Sequence, residues 1–126
     1  MSGRVLVVED HGPTARLVQD VLERAGLTVL LARDGAAALQ QVQAEQPDLL
    51  ILDRMLPDMD GLEILRELRQ QTETLYLPVI VLTGLKSHGD VLDGWMGGAS
   101  LYLTKPFAIG ELVDAVEKLL DAPARV

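Results

Sequence analysis

Apolar residues fall in short runs, separated by stretches with helical spacing. The runs are Val5-Leu6-Val7-Val8, Thr28-Val29-Leu30-Leu31-Ala32, Asp48-Leu49-Leu50-Ile51-Leu52-Asp53, Pro78-Val79-Ile80-Val81-Leu82-Thr83 and Leu101-Tyr102-Leu103-Thr104-Lys105. They are aliphatic and often β-branched, so they predict strands buried on both faces, as in a parallel sheet. Between them, Leu17, Val18, Val21, Leu22 and Ala25 share one helical stripe, and Ala38, Leu39 and Val42 a second. Leu62, Leu65 and Leu68 make a third, and Ile109, Leu112, Val113, Val116, Leu119 and Leu120 the cleanest of all. Pro13 suits the first turn of the first helix, Gly26 its C-terminal stop, and Asp34 the N-cap of the second. Residues 70–77 read as a polar connection. Val91, Leu92, Trp95 and Met96 have helical spacing, but Gly89, Gly94, Gly97 and Gly98 lie among or beside them. An interior glycine weakens a helix by about 1 kcal/mol, so a short, soft fourth helix is expected between residues 84 and 98. The tail from Asp121 is expected to fray.

Five strands alternating with five helices imply an α/β fold with a parallel sheet covered on both faces. Right-handed crossovers leave only a few doubly wound arrangements. The chain of 126 residues suggests one domain, with its core at about residues 4–121. That length buries a core without staples. No apolar run approaches a membrane span, and Met1-Ser2-Gly3-Arg4 lacks the layout of a signal peptide. With no cysteine, neither a disulfide framework nor thiolate chemistry is available, and the cytoplasm is the default location. A net charge of −8 argues against direct nucleic-acid contact, which needs clustered Lys and Arg. It fits a bound divalent cation, or simply a soluble surface.

Four strands end in a reactive polar group: Glu9-Asp10, Asp53, Thr83 and Lys105. Parallel strands bring their C-terminal ends to one rim, where open α/β sheets bind ligands. Three carboxylates with one ammonium suit a hard divalent ion such as Mg²⁺. A metal there would neutralise an incoming phosphoryl group, for which a carboxylate is a known nucleophile. Lys105 and the Thr83 hydroxyl are placed to hold the remaining phosphoryl oxygens.

At these residues the sequence resembles the receiver domain of two-component response regulators, in its flavodoxin-like five-stranded form. The motifs are Val7-Val8-Glu9-Asp10, Leu52-Asp53-Arg54-Met55-Leu56-Pro57-Asp58-Met59-Asp60-Gly61, Leu82-Thr83-Gly84 and the stretch Gly98-Ala99-Ser100-Leu101-Tyr102-Leu103-Thr104-Lys105-Pro106-Phe107. The resemblance covers essentially the whole chain, and the four motifs in this order are highly specific. It implies strand order 2-1-3-4-5. It implies Asp53 as phosphoacceptor, with Mg²⁺ held by Glu9, Asp10, Asp53 and the backbone carbonyl of Met55. Lys105 would contact the phosphoryl group across a cis Lys105-Pro106 bond. Thr83 would move toward the group and Tyr102 would turn inward, changing the surface of the fourth helix, fifth strand and fifth helix. The implied donor is a histidine kinase or phosphotransfer protein. The implied recipient is a downstream protein or an output domain outside this chain, with a dimer on activation as a further possibility.

Local departures sharpen the expectation. Ser100 and Leu101 stand where the family often carries acids; Leu101 reads as ordinary strand packing rather than an apolar spot on the output face. Met55 and Leu85 are both apolar at the two positions by which receivers tune water access, which suggests slow self-dephosphorylation. Gly84 leaves the acceptor open to a donor. Arg54 reads as a solvated charge rather than part of the site mouth. His11 and His88 have no metal-binding spacing, and Trp95 reads as a packing residue.

Other classes fit less well. Asp58, Asp60, Gly61 and Glu67 fall in the register of a calcium-binding loop, but Leu56 occupies its first ligand position. Glu9-Asp10-His11-Gly12 is not a dinucleotide-binding turn. An aspartyl-dependent phosphatase would need an acid where Met55 stands, so turnover as an enzyme is not expected. A docking module that works without phosphorylation stays open as the alternative.

Overall fold

A computed structural model describes residues 2–84 and 98–121. The strands are β1 (Arg4–Val8), β2 (Thr28–Ala32), β3 (Leu49–Asp53), β4 (Val79–Thr83) and β5 (Leu101–Thr104). They form one parallel sheet in the order β2-β1-β3-β4-β5. The described helices are α1 (Gly12–Arg24), α2 (Gly35–Glu45), α3 (Gly61–Leu68) and α4 (Ile109–Leu120), with a 3₁₀ turn at Thr72–Thr74 inside the polar connection. The helix expected between 84 and 98 lies outside the described residues, so α4 is the fifth helix of the sequence reading. The expectations on Leu85, His88, Gly89, Trp95 and Gly97 fall there too.

Side chains alternate across a strand, and the alternation sorts the core into two layers. Val5, Val7, Leu49, Ile51, Ile80 and Leu82 face α1 and α4, where they meet Val18, Leu22, Leu112 and Val116. Leu6, Val8, Leu50, Leu52, Val79 and Val81 face α2 and α3, where they meet Ala38, Val42, Leu62, Ile64, Leu65 and Leu68. Both faces are covered, which is why the strands read as unbroken apolar runs. One row crosses the whole sheet on the second face: Ala32, Val8, Leu52, Val81 and Tyr102 are successive register partners. Leu101 packs in the other layer, as ordinary strand packing requires.

Most helix ends follow their predicted chemistry. Asp34 accepts a hydrogen bond from Ala37 N at 2.8 Å, and Gly26 takes a φ of +99° just past α1, where a residue with Cβ would be strained. One stripe residue departs. Leu17 is 55% exposed, because it lies about 100° round the helix from Val18 and the buried line is Ala15, Val18 and Leu22. The small Ala15, not the bulky Leu17, takes the inward position.

Candidate functional site

Residues at the carboxyl ends of β1, β3 and β5 meet at one rim. Glu9 follows β1 directly, and its N–H donates to Ala32 O at 3.0 Å, carrying the ladder one step further. Asp53 closes β3, the central strand. Lys105 follows β5, and its N–H donates to Thr83 O at 2.6 Å. Its side chain reaches back so that Nζ lies 3.0 Å from Glu9 Oε1 and 3.0 Å from Asp53 Oδ2. Glu9 and Asp53 are buried and Asp10 is exposed. One carboxylate oxygen from each of the three lies within 4.8 Å of the others. Thr83, at the end of β4, is buried.

The electrostatics are unbalanced. Burial pushes the Glu9 carboxyl above its usual range, and its hydrogen bond with Asp53 pushes it further; Lys105 and the His11 N–H pull the other way without prevailing. Burial alone would lower Lys105, but its hydrogen bonds to Glu9 and Asp53 outweigh this and hold the ammonium charged. So the ammonium is well satisfied while the acids are not. Among the described residues, three carboxylates stand against one ammonium here, a surplus of two negative charges that one divalent cation would offset. The donors are hard oxygens, the set that Mg²⁺ or Ca²⁺ prefers.

The loop from β3 to α3 is pinned at both ends. Met55 N donates to Asp53 Oδ1 at 3.0 Å, and Met55 pairs with Asp60 in an isolated antiparallel bridge. Gly61 N donates to Arg54 O at 2.8 Å, and a Cβ on Gly61 would lie 2.6 Å from Asp53 O. In mid-loop, the Asp58 carboxylate accepts from Gly35 N at 2.8 Å and Ala36 N at 3.0 Å, at the start of α2. These amides hold the Asp58 carboxyl below its usual range. Met59 fills the space beside Gly35. Met55 is 64% exposed. The Lys105-Pro106 peptide is cis, as expected.

Arg54 differs from its sequence expectation, and His11 takes a role beyond its own. Arg54 is not a solvated charge: it is only 8% exposed. Strand alternation carries it to the face of Leu52, under the loop, where its Nε lies 3.4 Å from Asp60. A charged residue type suggests water, but the Asp60 partner that the fold supplies permits burial. His11 caps α1, its Nδ1 accepting from Thr14 N at 3.3 Å. Nothing in its sequence surroundings signals that role.

A family model for the response regulator receiver domain matches residues 5–117. The chain is 41% identical over 120 residues to the alkaline phosphatase synthesis transcriptional regulatory protein PhoP of Bacillus subtilis, covering 95% of this chain and 49% of that protein. It is 42% identical over 120 residues to the response regulator MprA of Mycobacterium ulcerans, covering 95% and 51%. Thus the chain spans about half the length of these curated relatives. A crystal structure of a putative response regulator from Chloroflexus aurantiacus superimposes with a TM-score of 0.91 at 36% identity, covering 97% of this chain and all of that one. With the parallel 2-1-3-4-5 sheet and the acidic rim, these matches establish that the chain belongs to the response regulator receiver domain family.

Proposed function

We propose that the chain is a phosphoacceptor switch of a two-component system, with Asp53 as the acceptor. The observation that carries this reading is Lys105 Nζ at 3.0 Å from both Glu9 and Asp53, with Asp10 close by. An Asp53 carboxylate oxygen attacks the phosphorus of a phosphohistidine on a kinase or phosphotransfer protein. The new O–P bond forms as the N–P bond breaks, and the donor imidazole leaves with the electron pair. Lys105 neutralises charge on the transferred group. Glu9, Asp10, Asp53 and the Met55 carbonyl would hold Mg²⁺, which supplies further neutralisation of phosphoryl oxygens when bound.

The acyl phosphate adds charge and acceptor oxygens at Asp53. Thr83 responds first and Tyr102 follows, so the surface that includes β5 and α4 changes its preferred partner. The recipient is a separate protein or an output domain, and a dimer through that surface is one form the response takes. With a net charge of −8, this chain is not expected to contact nucleic acid itself. Among the described residues no helix is long and apolar enough to cross a membrane, in keeping with a cytoplasmic switch. The apolar Met55 side chain, two residues after the acceptor and exposed, offers no group to activate water. Slow loss of phosphate follows, and decay within seconds would contradict it.

The test is intact mass after incubation with Mg²⁺ and acetyl phosphate, beside Asp53→Asn. A phosphate-sized gain that needs Mg²⁺ and vanishes in the variant is expected. No gain from either acetyl phosphate or a protein donor, with the fold intact, would favour the phosphorylation-independent docking module.

A further inference from the structure

Two carboxylates cap the first turn of α2, and one of them comes from another element. Gly35, Ala36 and Ala37 open the helix, and their amides have no carbonyl partner within it. Asp34, the N-cap, accepts from Ala37 N at 2.8 Å. The other two amides go to Asp58: its Oδ1 accepts from Gly35 N at 2.8 Å and its Oδ2 from Ala36 N at 3.0 Å. Asp58 belongs to the β3–α3 loop, 23 residues beyond Gly35. With both oxygens engaged, the carboxylate is fixed in orientation as well as position, and the helix dipole favours its charge at this end. The next residue adds an apolar hold. Met59 fills the space beside Gly35 so closely that a Cβ there would lie 2.5 Å from its Cγ. Two successive loop residues are thus seated on one helix end.

The base of the loop is fastened separately. Met55 and Asp60 pair across it, Met55 N donates to Asp53 Oδ1 at 3.0 Å, and Gly61 N donates to Arg54 O at 2.8 Å. These bonds close the loop on β3 without fixing its tip, and the hold on α2 fixes the tip. We propose that Asp58 is a positioning residue: by gripping α2 it fixes Met55 and so sets the affinity of the rim for a divalent cation. The inference rests on the reading of the Met55 carbonyl as a Mg²⁺ ligand. A ligand already in place when the ion arrives costs less to order on binding. α2 then belongs to the support of the site, although none of its residues is among the proposed ligands.

The test compares Asp58→Ala with Asp34→Ala, which removes the helix's own cap and lies outside the loop. In the metal-free chain, amide hydrogen exchange of Met55 and Gly61 reads the loop directly. Asp58→Ala is expected to speed both by about tenfold, as a local opening rather than a global one. Mg²⁺ titration followed at the same amides is expected to give a dissociation constant at least about threefold higher. That is less than the usual loss for a group bonded directly to a metal ligand, because Asp58 acts one step further out. Asp58→Asn keeps one acceptor oxygen and is expected between Asp58→Ala and wild type in both readings. Asp34→Ala is expected to lower the thermal midpoint and leave both readings as in wild type. Equal effects in Asp34→Ala would reduce Asp58 to a second cap of α2 and overturn the proposal. Unchanged exchange and affinity in Asp58→Ala, with wild type binding Mg²⁺ normally, would overturn it alone. A wild type with no response to Mg²⁺ would overturn the cation reading together with it.

Discussion

Among the described residues, Lys105 is the one cation on a rim of three acids, and its removal exposes their mutual repulsion. Its ammonium is about one-third exposed, so solvent screens part of the effect. Lys105→Gln is expected to lower stability at neutral pH by about 1–3 kcal/mol, read from the urea midpoint. A midpoint equal to that of wild type would show that the acids tolerate one another without it. Asp58 carries a pH dependence of known sign. Its carboxyl is held below the ordinary value by the Gly35 and Ala36 amides, so the folded state favours the charged form. That contribution is present above the unfolded pKa and is lost as pH falls through the depressed folded value. The Gly35 and Ala36 amide resonances should therefore shift in acid, and Asp58→Asn should abolish the transition. An identical acid profile in the variant would assign it to another group.

At the scale of elements, the β3–α3 loop decides whether the rim is assembled. Gly61 opens α3 where the chain doubles back on Asp53. A Cβ there would press on backbone, 2.6 Å from Asp53 O and 3.0 Å from Arg54 Cα, and backbone has no rotamer by which to escape. Gly61→Ala is expected to cost about 1–3 kcal/mol and to displace Met55. The urea midpoint reads the first, and the Met55 amide shift reads the second. Gly12 has open space where its Cβ would lie and serves as the neutral control. The sequence marked this loop by Pro57 and Gly61, but not its attachment to α2. The reach of Asp58 to Gly35 spans 23 residues, and local pattern carries no information about such a partner.

For the whole molecule, the surplus of acid among the described residues at the rim predicts coupling between cation binding and folding. A ligand at about a hundred times its dissociation constant stabilises by about 2.7 kcal/mol. Saturating Mg²⁺ should therefore raise the thermal midpoint of wild type. Asp10→Asn, with one carboxylate fewer, should lose most of that rise while folding normally, since Asp10 is exposed. A rise of the same size in the variant would place the cation elsewhere.

Strand positions, their burial on both faces and three of the described helical stripes were legible in the sequence. Hydrophobic periodicity is a local property that the solvent enforces residue by residue. The rim was legible for a related reason: a parallel sheet aligns its C-terminal ends, so polar residues closing successive apolar runs must share an edge. Tertiary structure decided what depends on partners distant along the chain. It buried Arg54, whose charge suggested water, because the turn into α3 brings Asp60 back to within 3.4 Å of its Nε, a pairing that residue type alone does not reveal. It exposed Leu17, whose type suggested the core, because helix rotation follows the whole apolar face rather than its bulkiest members. It also brought Lys105 within reach of Glu9, across 96 residues, although β3 and β4 lie between their strands, because the long lysine side chain reaches back along the shared rim.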